Sequence, residues 1–204
     1  LKDTEARTKP MKGTRPRGSD ADSDAALRDE LAESEKDKAE NLMIVDLMRN
    51  DLARVCDPHS VDVPVLCGLE TYAAVHHLVS VVTGRLRPGL GIADLLAATF
   101  PGGSITGAPK IRAMDIITEI EKTRRGPYCG AIAWIGFDGA MDSSIVIRTL
   151  VIKDTEVAAQ AGGGIVADSD PGAEYEEAMD KAWAMLQSLD PSEIAPGEMA
   201  KEQA

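Results

Sequence analysis

Residues 61–86 read VDVPVLCGLETYAAVHHLVSVVTGRL, two segments rich in β-branched residues with nothing helix-like between them. Val61–Leu69 and Val75–Leu86 are strand candidates, and Pro64, lacking an N–H, puts the first at an edge or a bulge. Toward the C-terminus, Ile92–Thr99 reads as a short helix and Pro101–Lys110 as a Gly/Pro-rich loop. Pro109 suits the first turn of a helix running to about Lys122. Three more strand candidates, Cys129–Phe137, Ser144–Lys153 and Glu156–Ala161, precede a final helix over Gly172–Leu189. Toward the N-terminus, Asp20–Asp24 can cap a helix in which Ala25, Ala26, Leu27, Leu31 and Ala32 recur at helical spacing. Glu33–Lys38 reads as a solvated helix face. From Asn41 the pattern is apolar nearly all round (Leu42, Met43, Ile44, Val45, Leu47, Met48, Leu52), which predicts a helix buried on most sides. Leu1–Arg17 is polar and loop-like, and suggests that an N-terminal portion of a longer protein precedes it. Strands in succession without regular βαβ alternation predict an α+β fold. One domain is expected over residues 1–189, followed by a disordered tail at 190–204.

The chain has 204 residues, with 22 Lys and Arg against 34 Asp and Glu, a formal charge of -12. That balance argues against a nucleic-acid surface, which needs a basic face to replace phosphate counterions, and against anionic lipid. Cys56, Cys67 and Cys129 are odd in number and lack CxxC spacing, so they read as reduced thiols of a cytoplasmic protein. No apolar run approaches the roughly 20 residues that span a bilayer.

On the final helix Glu174, Glu177 and Lys181 share one face, and two carboxylates there suit a hard cation such as Mg²⁺. An ordinary i,i+4 pair on a solvated face is the plainer alternative. Glu40, at the entry to the apolar helix, could complete an acidic site. Asp46, Arg49, Asn50 and Asp51 read as structural, with Asp46 and Arg49 able to satisfy one another. GGSITGAPK, residues 102–110, fails as a phosphate loop because Ala108 and Pro109 separate the glycine from Lys110. It remains a Gly-rich loop feeding a helix N-terminus, as Gly162–Gly164 remain either an anion-binding turn or a tight turn. Arg148 falls in a strand candidate, where burial would demand an anion and a wet face would not. His76 and His77 point to opposite faces of their strand. Lys12, between Arg15, Arg17 and a proline, is either a solvated loop charge or a desolvated nucleophile.

Seven ordered segments resemble the chorismate-binding enzymes, a family that includes anthranilate, aminodeoxychorismate, isochorismate and salicylate synthases. They are PMKGTRPRG (10–18), AENLMIVDLMRNDL (39–52), VHHLVS (75–80), PGGSITGAPKIRAM (101–114), MDSSIVIRT (141–149), QAGGGIVADSDP (160–171) and AEYEEAMDK (173–181). The resemblance, over about residues 8–189, implies antiparallel sheets packed on each other with flanking helices, here as a C-terminal portion of that fold. It further implies that Glu40, Glu174 and Glu177 hold Mg²⁺, which binds the ring carboxylate of chorismate, with Lys181 assisting. His77 would face the ring near its reacting carbons. Arg148 and the amides of Gly162, Gly163 and Gly164 would clamp the enolpyruvyl carboxylate, with Ser104 bonding nearby. Trp134 stands where anthranilate synthases tend to have Tyr. Lys12 matches the Lys that aminodeoxychorismate synthases carry in P-x-K-G-T, where anthranilate synthases have Ala. By that resemblance Lys12 attacks C2 of chorismate and directs ammonia, supplied by a glutamine amidotransferase partner, to C4. The alternatives are amination at C2, or a chorismate-binding chain without turnover. The family's upstream general-acid glutamate finds no matching motif around Glu5.

Overall fold

The structure, a computed structural model, describes residues 1–167 and 169–189. Its elements are β1 (Glu5–Thr8), β2 (Met11–Pro16), α1 (Ala21–Glu33), α2 (Glu35–Ala53), β3 (Asp62–Thr71), β4 (Val75–Arg85), α3 (Ile92–Thr99), α4 (Lys110–Ile120), β5 (Ala131–Ile135), β6 (Met141–Ile145), β7 (Leu150–Lys153), β8 (Glu156–Ala159) and α5 (Pro171–Leu186). The fold is α+β with antiparallel sheets, as expected. One domain was the expectation for residues 1–189. The chain clusters into two compact units, one of Leu1–Ile120 with Ala133–Ser143, the other of Glu121–Ile132 with the described residues from Ser144 on. The tail expected at 190–204 lies outside the described residues. Among the described residues no helix is long and apolar enough to cross a membrane.

In the first unit β4 is the central strand. On one side it pairs β3 from Asp62↔Thr83 to Thr71↔His76; on the other, β1 and β2 follow one another along it, Glu5↔Arg85 to Thr8↔Val82 and then Met11↔Val79 to Pro16↔Val75. This corrects the loop-like reading of Leu1–Arg17. An edge strand buries little, and in β1 only Ala6 is buried, so its hydrophobic signal is nearly absent. This central strand is buried at most positions between His76 and Gly84. The register of β3 shifts between Asp62 and Val65, around Pro64, so the proline does sit at an irregular edge strand.

Ser34 divides the charged run into two helices. Its N–H closes α1 on Glu30 O (3.0 Å), and its hydroxyl caps α2 by accepting from Asp37 N (3.2 Å). At the start of α1, Asp20 accepts from the amides of Asp22 and Ser23, as its sequence predicts. Helix α2 is one-sided rather than buried nearly all round. Ile44, Val45 and Leu52 are buried, but Leu42 and Met43 are 46% and 39% exposed. The core gathers Val45 and Leu52 of α2, Val82 of β4, Leu86 just after it, and Leu95 and Ala98 of α3. Each such valine or leucine, fully buried, contributes roughly 1.5–3 kcal/mol. Asn41, fully buried in α2, donates to Leu78 O (3.2 Å) and accepts from Ser80 Oγ, which pins the helix to β4.

The expected strand Ser144–Lys153 is split. β6 ends at Ile145 and β7 starts at Leu150. In the second unit Val146 trades backbone bonds with Cys129 and Gly130 (2.8 and 3.0 Å), and Arg148 has φ 51°. Arg148 is therefore an exposed turn residue and not part of a strand. β7 and β8 form a hairpin closed at Lys153↔Glu156, with Asp154 at φ 54°, and Asp170 caps α5 by accepting from Ala173 N (2.9 Å).

Candidate functional site

Lys12 lies on β2 opposite Leu78, not in a loop. The register slips between Lys12 and Thr14, so Thr14 is opposite His77 and Gly13 is the bulged residue. Only glycine suits that bulge. Its φ is +81°, and a Cβ there would lie 2.9 Å from Asp37 Cβ and 3.0 Å from Leu31 Cδ1. The bulge sets Lys12 where Nζ stands 3.9 Å from Glu40 Oε2 of α2, with both side chains about a quarter to a third exposed (25% and 31%). One rung away, His77 Nδ1 is 2.9 Å from Thr14 Oγ1 and 3.3 Å from Gly13 O, and the ring meets Tyr72 edge-on with centroids 5.8 Å apart. Lys12, Glu40 and His77, picked out separately in the sequence, thus share one stretch of the first unit.

His76 is fully buried, and its Nε2 is 3.0 Å from Asp24 Oδ1 and its Nδ1 2.9 Å from Thr71 Oγ1. Arg17 binds the same carboxylate through Nε and NH2 (2.7 and 2.9 Å), and Gly18 N donates to it (2.9 Å). The Arg17 guanidinium, then the Gly18 amide, hold the Asp24 carboxyl well below the usual carboxylate range.

The Gly-rich loop contains a 3₁₀ turn over Gly103–Ile105, with Ser104 half-buried in it. Gly103 packs so closely on α2 that a Cβ would fall 2.3 Å from Leu47 Cδ2. At the loop's end Lys110 Nζ donates to Asp51 Oδ2 (2.6 Å) and Thr99 O (3.1 Å). Burial pushes the Asp51 carboxyl up, and the Lys110 ammonium opposes it. Asp46 and Arg49 do satisfy one another (3.1 Å), but Asp51, grouped with them in the sequence, instead belongs to Lys110. A buried carboxylate in an apolar helix demands a partner, and that demand was the readable signal. Trp134, on β5, is 62% exposed.

In the second unit, the Gly162–Gly164 run lies against the acidic face of α5. Lys181 Nζ donates to Gly162 O (3.3 Å) and to Glu177. A Cβ on Gly163 would sit 2.9 Å from Glu174 Oε2, so the Gly163 backbone lies directly against the Glu174 carboxylate. Ser169 Oγ, which the sequence reading passed over, donates to Glu174 Oε1 (2.6 Å) and orients it. Glu177 and Lys181 form the expected i,i+4 pair.

Within either unit alone, no three His, Cys, Asp or Glu side chains converge for a metal ion among the described residues. Glu40 belongs to the first unit, Glu174 and Glu177 to the second. Their chemistry fits Mg²⁺, which takes hard carboxylate oxygens and is held by one or two of them.

A family model for the chorismate binding enzymes matches residues 1–187. The aminodeoxychorismate synthase component 1 of Klebsiella aerogenes is 56% identical over 190 residues, which are 93% of this chain and 42% of that protein. The anthranilate synthase component 1 of Bacillus subtilis is 51% identical over 180 residues, 88% of this chain and 35% of that protein. The crystal structure of anthranilate synthase component I from Streptococcus pneumoniae superposes with TM-score 0.81 at 43% identity, covering 91% of this chain and 40% of that one. The chain thus spans about two fifths of the length of the first of these relatives (42%).

Proposed function

Since this chain belongs to the chorismate-binding enzyme family, we propose that it takes part in aminating chorismate at C4, giving 4-amino-4-deoxychorismate. The observation that carries the reading is Lys12, a primary amine on β2 beside Glu40 and one rung from His77. The neutral amine attacks C2; the C2–N bond forms, both ring double bonds shift, and the C4–O bond breaks, the hydroxyl leaving as water with the proton that the Lys12 nitrogen gives up. Ammonia then forms the C4–N bond as both double bonds shift back and the C2–N bond to Lys12 breaks, a proton passing from the new C4 ammonium to the departing Lys12 nitrogen. The nucleophile returns unchanged, and nitrogen goes to C4 because C2 is occupied when it arrives. Ammonia reaches the site from a glutamine amidotransferase partner.

The other residues bind and orient. His77 meets the ring, Arg148 and the amides of Gly162–Gly164 take the enolpyruvyl carboxylate, Ser104 bonds beside it, and Trp134 borders the substrate. Glu40, Glu174 and Glu177 would hold Mg²⁺, with Lys181 balancing their charge. When bound, the ion neutralises the ring carboxylate and helps the C4 hydroxyl depart. Glu174→Gln keeps the acceptor for Ser169 but removes a charge, so the Mg²⁺ concentration giving half-maximal activity should rise about tenfold or more. Overlapping metal titrations of parent and variant would remove Glu174 from the metal site.

The reading is tested by incubating the protein with chorismate, Mg²⁺ and ammonium and identifying the product by mass and fluorescence. 4-Amino-4-deoxychorismate is expected. Fluorescent anthranilate would place the amination at C2 and overturn the reading. Retained chorismate binding without turnover would make the chain a binding component.

A further inference from the structure

We infer that Gly13 and Thr14 hold His77 in the Nδ1–H tautomer, leaving Nε2 as its proton-accepting atom, and that the adjacent His76 is held in the opposite tautomer. Both assignments come from what the neighbouring oxygens can do. A peptide carbonyl only accepts, and Gly13 O lies 3.3 Å from His77 Nδ1. Were Nδ1 unprotonated, its lone pair would face that of the carbonyl, and only the Thr14 hydroxyl could offer a bond. With the proton on Nδ1, Gly13 O and Thr14 Oγ1 (2.9 Å) both accept from it. A neutral His77 then carries its lone pair on Nε2, which has no hydrogen-bond partner among the described residues.

At His76 the acceptor-only group is on the other nitrogen. The Asp24 carboxylate, kept ionised by Arg17 and the Gly18 amide, lies 3.0 Å from Nε2. Nε2 must carry the proton, and Nδ1 accepts from the Thr71 hydroxyl (2.9 Å). His76 is thereby fully satisfied in the interior, whereas His77 keeps one nitrogen unused. Alternation along β4 separates two chemically identical rings into a structural one and a working one. That Nε2 of His77 serves the substrate rests on the proposed function; the tautomers rest on geometry alone.

The chain has three histidines, so the prediction is directly readable. Protein labelled with ¹⁵N-histidine is examined by two-bond ¹⁵N–¹H correlation at about pH 8.5, some two units above the ordinary imidazole value. His59→Gln and His76→Gln assign the signals. The expected pattern is Nδ1–H for His77 and Nε2–H for His76. Nε2–H at His77 overturns the inference, whatever reaction the protein catalyses. Thr14→Val preserves the β-branched shape and removes the second acceptor. It should leave Nδ1–H at His77, because Gly13 O can only accept, but loosen the ring and lower kcat about tenfold with KM within twofold, the scale of losing a group that orients a working histidine. Thr14→Ser should restore the rate. An unchanged kcat in Thr14→Val removes Thr14 from the arrangement, and a shift to Nε2–H in that variant overturns the role given to Gly13 O. If Thr14→Val does not fold, the Thr14→Ser variant and the parent spectrum still decide. A protein with the expected tautomers but no C4 amination sinks the proposed function and leaves the tautomer assignment standing.

Discussion

Replacing Lys12 with alanine should cut formation of 4-amino-4-deoxychorismate by about a hundredfold or more, the loss expected when a positioned catalytic group is removed. The fold should survive. Lys12 reaches Glu40 only at 3.9 Å, and both side chains are partly solvated, so the pair contributes at most about 1 kcal/mol. Lys12→Arg separates charge from nucleophilicity, since guanidinium stays protonated and cannot attack C2. If Lys12 acts as the nucleophile, arginine should be as inactive as alanine. If it only balances the charge of Glu40, arginine should retain most of the activity. Without a group at C2, ammonia can add there, and anthranilate should appear as a minor product of Lys12→Ala. Unchanged rate and product in that variant would remove Lys12 from the mechanism.

Lys110→Met should be the most destabilising of these substitutions. It leaves the Asp51 carboxylate, 4% exposed, without the ammonium 2.6 Å away. Stranding a buried charge typically costs roughly 3 kcal/mol or more, which in a chain of this size lowers Tm by roughly 6–12 °C. The pH dependence has a definite sign. Burial raises the Asp51 carboxyl in the folded state above its unfolded value, so folding favours the protonated form. Stability therefore falls as pH rises from the unfolded value through the folded one. Removing Lys110 removes the group that opposes this rise, so the Tm gap between parent and variant should be widest near neutral pH and should shrink on acidification. Asp51→Asn in the Lys110→Met background should recover part of the loss. A calorimetric Tm gap that is small, or the same from neutral pH down to about pH 4, would show that the pair contributes little.

The segments with strong periodic burial were legible in the sequence. Ile92–Thr99 has the expected bounds, β4 follows its β-branched run, and the Asp20 cap sits where its side chain can reach free amides. The misreadings share a cause. β1 and β2 bury so little that charged residues fill them, and their strand character comes from hydrogen bonds to a partner some 70 residues away (Lys12↔Leu78). Ser34 was hidden within a charged run because a helix break that keeps both caps satisfied leaves no hydrophobic trace. Arg148 looked like a strand residue because Ile145, Val146 and Ile147 are β-branched, yet the backbone turns there into the left-handed region.

By itself the sequence determined the fold class, the family, and which side chains are chemically able to serve. Those follow from residue type and order, which need no third dimension. It could not determine what each polar group faces. That Lys12 stands beside Glu40, that Asp51 belongs to Lys110 rather than to its helix neighbours, and that two consecutive histidines have different partners were decided by β-sheet register and helix packing. The reason is physical: a hydrogen bond or ion pair depends on separations of about 3–4 Å, and only tertiary structure sets those between residues distant along the chain.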